Sequence, residues 1–353
     1  MGIEEEFLLV DAGTGALRED AEEVIRRARE VVGQGLDHEL RTAIVETGTA
    51  VCRDMASAAS ELRLRRAATA SAAGDVGAWV LAAASHPTAP PDEIGYADER
   101  RYRRIAREFG PVADQTLVCG CHVHVSVPDR DSGVVVLDRV RPWLSVLVAL
   151  SANSPLWLGQ DTGYDSWRTQ VWSRWPTAGP TSVFGNVAAY DAQSDALVAS
   201  GAALDRGMLY YQVRLSERWP TVEVRVADVC LEVDDAVLVG ALARALVMTA
   251  LAAADSPPPD VSVELLRAAT FVASRSGLGA QLVDPVEWRA RPAGQVVDRL
   301  VAHVADALED TGDTALVLDG VARLRRDGTA ADRQLAALAR GGPAAVLELT
   351  ALD

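Results

Sequence analysis

The sequence predicts an α+β protein. Three observations carry that prediction. Residues 119–127 (Cys-Gly-Cys-His-Val-His-Val-Ser-Val) alternate strictly: Cys119, Cys121, Val123, Val125 and Val127 share one strand face, and Gly120, His122, His124 and Ser126 share the other. Residues 210–215 and 221–226 alternate likewise across Ser-Glu-Arg-Trp-Pro, a hairpin-like pair. From residue 234 onward the apolar spacing is helical, in segments 234–254, 264–276, 294–308, 314–326 and 330–340.

Taken in order, residues 3–10 (Ile-Glu-Glu-Glu-Phe-Leu-Leu-Val) read as the first strand, with Glu4 and Glu6 on one face and Glu5 beside Phe7 on the other. Glutamate is depleted in strands, so three in a row ahead of an apolar run point either to a frayed, solvated start or to carboxylates held on rigid backbone for a metal. Residues 11–15 are a turn and 19–32 an amphipathic helix. Residues 40–51 read as a second strand, with Thr42, Ile44 and Glu46 on one face. A carboxylate inside an apolar run is costly unless it binds something, which makes Glu46 a ligand or an arginine partner. A helix over 55–73 and a short strand over 76–84 follow, and His86 reads as a loop histidine.

Residues 98–109 form a helix dense in arginine, with Arg101 and Tyr102 candidates to line a cleft. After the histidine strand, 128–133 is a turn and 137–152 a strongly apolar helix. Residues 153–185 are the least regular and most aromatic stretch, where Trp167, Trp172 and Trp175 alternate with Arg168, Gln170 and Arg174. Two readings compete here: an active-site loop whose Arg168 and Arg174 hold anions, and a packed surface loop with cation–π stacking. Residues 191–200 are helical. In 221–226, Glu223 and Arg225 share a face opposite Val222, Val224 and Val226. Pro257–Pro259 break the helix before them; the helices beyond read as an outer layer of one domain, 1–353, whose C-terminal part from about 257 is helical.

Composition narrows the function. At 353 residues and 49% hydrophobic the chain has material for a large core. A net charge of −16 and a pI near 4.8 argue against nucleic acid and anionic membrane as partners. The basic residues are all arginine, which excludes a Walker A lysine and a lysine Schiff base. Cys52, Cys119, Cys121 and Cys230 form no Cys-x-x-Cys pair, against structural zinc. The acidic start lacks the pattern of a leader, and no apolar run is read as long enough to span a bilayer; the expectation is a cytoplasmic, reduced protein.

The polar residues on apolar strands are Glu4, Glu6, Glu46, His122, His124, Glu223 and Arg225. On one sheet face they would line a cavity whose mixed oxygen and nitrogen donors suit Mg²⁺ or Mn²⁺ more than Ca²⁺. Four segments also resemble the bacterial carboxylate–amine ligases (glutamate–cysteine ligase type 2): residues 1–11, Gly-Cys-His-Val-His at 120–124, Ser-Trp-Arg-Thr-Gln-Val-Trp-Ser-Arg-Trp-Pro at 166–176, and Thr-Val-Glu-Val-Arg at 221–225, with a fainter likeness at 267–278.

That resemblance implies a curved antiparallel sheet of glutamine-synthetase-like type, a funnel with helices outside. It implies ATP-dependent joining of the γ-carboxylate of glutamate to an amine, cysteine in the family. It implies metal ligation by Glu4, Glu6, Glu46, His122 and Glu223, a nucleotide site at His122, His124 and Arg225, and catalytic arginines at Arg225, Arg168 and Arg174. Other amines, a homo-oligomer, a metal-dependent amide hydrolase and a non-catalytic nucleotide- or metal-binding relative stay open at this point.

Overall fold

The computed structural model describes residues 1–352. Its main sheet has seven strands: β1 (Gly2–Asp11), β2 (Leu36–His38), β3 (Ile44–Gly48), β4 (Ala78–Leu81), β5 (Gly120–Ser126), β6 (Val213–Leu215) and β7 (Thr221–Asp228). Their order is β2-β3-β1-β5-β7-β6, with β4 paired to the far half of β1. Every pairing is antiparallel and the sheet is open, with β2 and β6 at its ends.

One sheet face is covered by helices. Ile3, Cys121, Val123, Val125, Val222 and Val224 pack into a single core with the helices Arg130–Val140, Leu144–Leu150 and Val233–Ala252. Full burial of each such aliphatic side chain contributes about 1.5–3 kcal/mol, so the valine face of β5 and β7 fixes their register. Phe7 and Leu9 pack on Val24, Ile25 and Ala28 of the helix Ala21–Val32. The chain end returns to the sheet, where Leu352 N donates to Val80 O at 2.8 Å and Ala82 N to Thr350 O at 2.7 Å.

Several element boundaries differ from the sequence reading, each for a local reason. The strand expected over 40–51 is only Ile44–Gly48, and Leu36–His38 adds a short strand beside it. The strand expected over 76–84 is Ala78–Leu81. The turn expected at 128–133 is instead a helix start: Asp129 accepts from Ser132 N at 2.7 Å and caps Arg130–Val140. Pro142 then interrupts the predicted 137–152 helix within a 3₁₀ turn at Arg141–Trp143. The helix expected at 191–200 begins at Val187, capped by Asn186. Residues 294–308 split into Ala293–His303 and Ala305–Thr311. The last helix runs Ala330–Thr350 through a kink at Gly341, Gly342 and Pro343.

The expectation that no apolar run could span a bilayer is also corrected. Val233–Ala252 passes on length and composition, but 78% of its apolar window is buried inside the protein, as a core helix would be.

Candidate active site

The polar face of the sheet is assembled by register. Glu4 lies opposite His122, Glu6 opposite Glu46, and His124 opposite Glu223. His122 Nδ1 is 3.6 Å from Glu4 Oε2 and 4.0 Å from Glu223 Oε1, and its Nε2 is 3.9 Å from Glu6 Oε1. His124 Nε2 is 3.3 Å from Glu4 Oε1, and its Nδ1 pairs with Thr221 Oγ1 at 3.1 Å. Two sets of donors, Glu4–His122–Glu223 and Glu6–Glu46–His122, each gather their ligand atoms within 4.8 Å. All five residues expected to bind metal therefore meet in one place.

A β-bulge lies in β7 where β5 passes from Cys121 to Val123. It breaks the expected alternation, so Val226 follows Arg225 onto a cavity wall while still packing in the core with Val222 and Val224. Glu223 is buried between two arginines: Arg225 Nη1, and Arg214 Nε at 2.6 Å.

The electrostatics are uneven: two of the four acids are raised and two are held down by neighbouring positive groups. Burial pushes the Glu6 carboxyl up to about 7, reinforced by Glu39 and opposed by Arg168 and the Gly120 amide, which donates to Glu6 at 2.5 Å. Burial and the charges of Glu4, Glu39 and Glu6 raise Glu46 well above the usual carboxylate range. Burial also works to raise Glu4 and Glu223, yet the histidines pull Glu4 down and Arg225 with Arg214 pull Glu223 down. Burial and Arg225 lower His122 to about 4, so it is a neutral ligand at pH 7, and its Nε2 lacks a hydrogen-bond partner. Clustered carboxylates with an unpaired buried imidazole nitrogen fit a divalent cation, which would relieve both the repulsion and the orphaned nitrogen.

Two cavities meet at this face. The acid-lined one, ≈ 360 Å³, holds seven carboxylates: Glu4, Glu6, Asp37, Glu39, Glu46, Glu217 and Glu223. The other, ≈ 470 Å³, is lined by Arg168, Arg174, Arg225 and Arg267, and among the described residues no Asp or Glu lines it. The acid-lined cavity also carries Arg41, Arg101, Arg214, Arg218 and Arg225, so the asymmetry lies in the acid-free lining of the arginine cavity, unusual in a chain of charge −16. Trp172, Trp175, Tyr210 and Arg225 line both cavities and form the wall between them.

Arg168 and Arg174 thus stand at the arginine cavity and not in the carboxylate–imidazole cluster. Arg168, on the short helix Trp167–Trp172, is buried, whereas Arg174 is exposed and donates to Gln115 Oε1 at 2.8 Å. Arg101 and Tyr102 line the acid-lined cavity, as expected. His86 lies in a loop, as expected, but is buried there: its Nε2 pairs with Gly15 O, and its Nδ1 accepts from Thr88 N and Ala89 N. Sequence reasoning passed over Arg214, though counting back across the hairpin from Glu223 would have paired them.

The model of Glutamate-cysteine ligase family 2 matches residues 1–348. The chain belongs to this family. A Frankia alni protein provisionally named glutamate–cysteine ligase 2-2 is 48% identical over 358 residues, covering 97% of this chain and 93% of its own. A Streptomyces avermitilis protein provisionally named glutamate–cysteine ligase 2-1 is 45% identical over 346 residues, 97% and 95% of the two chains. Among solved structures, glutamate–cysteine ligase of Francisella tularensis in complex with AMP superposes with TM-score 0.71 at 15% identity, covering 99% of this chain and 86% of that one. A bifunctional glutathione synthetase of Pasteurella multocida gives 0.74 at 16% identity, over 99% of this chain and 51% of that one. At such identities these structures speak for the fold. As a family 2 member the protein is an ATP-dependent carboxylate–amine ligase that forms a C–N bond.

Proposed function

We propose that the protein uses ATP with Mg²⁺, or Mn²⁺ in its place, to join the γ-carboxylate of L-glutamate to an amine, L-cysteine first among acceptors, through an acyl phosphate. One observation carries this reading: a carboxylate–imidazole cluster and an acid-free arginine cavity share a wall that contains Arg225. Moving a phosphoryl group from a metal-bound nucleotide onto a carboxylate needs a cation site and an anion site side by side.

In this reading Glu4, Glu6, Glu46, His122 and Glu223 hold the divalent cations, and His124 braces Glu4 beside the nucleotide. When bound, the cation neutralises the phosphate oxygens of ATP. Arg225, anchored by Glu223 and with its Nε unpaired, stabilises charge that develops on the transferring phosphoryl group. Arg168 and Arg174 receive the carboxylates of the amino-acid substrates. The wall of Trp172, Trp175 and Tyr210 keeps water from the acyl phosphate. A carboxylate oxygen attacks the terminal phosphorus and ADP leaves; the amine nitrogen then attacks the acyl carbon, phosphate leaves and the nitrogen gives up a proton. The chain supplies position and charge, and no covalent enzyme intermediate forms.

The test is phosphate release with ATP, Mg²⁺, glutamate and a panel of amines, with products read by mass spectrometry. Release that requires both glutamate and an amine supports the reading; release indifferent to either refutes it. Glu223→Ala should remain folded and lose about 10²–10³-fold in turnover.

A further inference from the structure

We infer that Asp228 is a positioning residue that fixes the Arg168 guanidinium at the wall between the two cavities while leaving its donors free for a substrate carboxylate. The inference rests on the reading of the arginine cavity as a carboxylate site.

Asp228 closes β7, three residues beyond Arg225, and is 1% exposed. Its Oδ2 accepts from Asn153 N at 2.9 Å and from Ser154 Oγ at 2.8 Å, and its Oδ1 accepts from Ser166 Oγ at 2.8 Å. Those two serines hold the turn that carries Arg168. Arg168 N donates to Ser154 Oγ at 3.0 Å, Trp167 N donates to Ser154 O at 3.0 Å, and Ser166 Oγ pairs with Thr169 Oγ1 at 2.9 Å. The strand that bears Glu223 and Arg225 is thereby tied, through one carboxylate, to the helix that bears Arg168. The network continues outward: Gln334 Nε2, from the last helix, donates to Asn153 O at 2.9 Å and Oδ1 at 2.7 Å.

The guanidinium itself is under-bonded. Arg168 is 3% exposed, yet among the described residues its guanidinium makes only two long hydrogen bonds, Nη2 to Arg225 O at 3.4 Å and Nη1 to Val226 O at 3.5 Å, beside a cation–π contact 5.8 Å from the Trp172 ring centroid, and its Nε has no partner. A buried guanidinium with five donors in that state is expensive unless an anion completes it. The one carboxylate within 4 Å of it, among the described residues, is Asp228 at 3.9 Å from Nη1. That separation is too long for a hydrogen bond. Asp228 therefore balances the charge without consuming the donors. Gly120 clears the space on the other side, where an added Cβ would lie 2.3 Å from Nη2.

The experiment is a double-mutant cycle on the full chain with ATP, glutamate and the best amine of the panel: Asp228→Asn, Arg168→Lys and both together. Asp228→Asn should raise KM for glutamate about 10- to 100-fold and leave KM for ATP unchanged. In the Arg168→Lys background it should add no further rise, because it acts through that guanidinium. Additive effects, or an equal loss toward ATP and glutamate, would mean a structural role alone and overturn the inference. If Arg168→Lys itself leaves the glutamate KM untouched, the carboxylate reading of the cavity fails first, and the role of Asp228 with it. Should Asp228→Asn not fold, Ser166→Ala removes one of the three donors and must give the same shift in smaller measure; no shift there also refutes the inference.

Discussion

Gly120 sits where a side chain cannot. A Cβ there would lie 2.3 Å from Arg168 Nη2 and 2.9 Å from its Cζ, so Gly120→Ala must displace the guanidinium. Turnover should fall about 10²-fold, checked by steady-state rates, with little change in melting temperature. His86 offers a pH prediction of known sign. Its Nδ1 accepts two backbone amides, at 3.1 and 2.8 Å, so a proton there would face two donors. Burial holds its pKa down at about 4. As pH falls below about 6.5 the unfolded chain takes up the proton first, so the folded state loses about 1.4 kcal/mol per pH unit until about pH 4. His86→Asn should flatten that part of the stability–pH curve in denaturant titrations, and an unchanged slope would contradict the assignment. At this scale the sequence was informative wherever a residue broke its local pattern. Glu4, Glu6, Glu46, His122 and Glu223 stand out because ionisable groups are costly on apolar strands. Asp228 did not, because an acid just past a strand reads as a solvated end.

Elements were legible where periodicity was long and blurred where turn chemistry and helix caps look alike. Pro-Asp-Arg-Asp-Ser-Gly at 128–133 has the composition of a turn, but Asp129 is an N-cap and Gly133 a packing glycine, where a Cβ would meet Leu215 Cδ2 at 2.5 Å. Asp129→Ala should cost about 0.5–2 kcal/mol by leaving Ser132 N without its cap. Thermal melting would register the loss, with turnover unchanged because the cap is remote from the polar face. The bulge in β7 is likewise invisible in a run as regular as Thr-Val-Glu-Val-Arg-Val, since it is set by pairing with β5 and not by composition.

Across the whole molecule the two acids of the polar face held above the usual carboxylate range, Glu6 and Glu46, oppose folding when nothing neutralises them. Glu46 bears most of this, pressed by burial and by Glu4, Glu39 and Glu6. Glu46→Gln should therefore raise the melting temperature in EDTA while abolishing turnover. Mg²⁺ at a hundred times its Kd should stabilise the wild type by about 2.7 kcal/mol and the variant by much less. Equal melting of the two proteins in EDTA would contradict the account. The antiparallel sheet was legible through the family resemblance, and the carboxylate–imidazole cluster through residues on four strand runs. The wall between the cavities was not, because Trp172 and Trp175 reach Tyr210 only after folding, with ring centroids 4.8 and 5.3 Å from it.

That wall also separates two doorways. Exposed Arg267 and Phe271 flank one chamber, while Asp37 and Trp219 flank the other. On the proposed reading, a nucleotide at the acid-lined chamber and amino acids at the arginine chamber would each have an entrance of their own, and neither would have to queue behind the other.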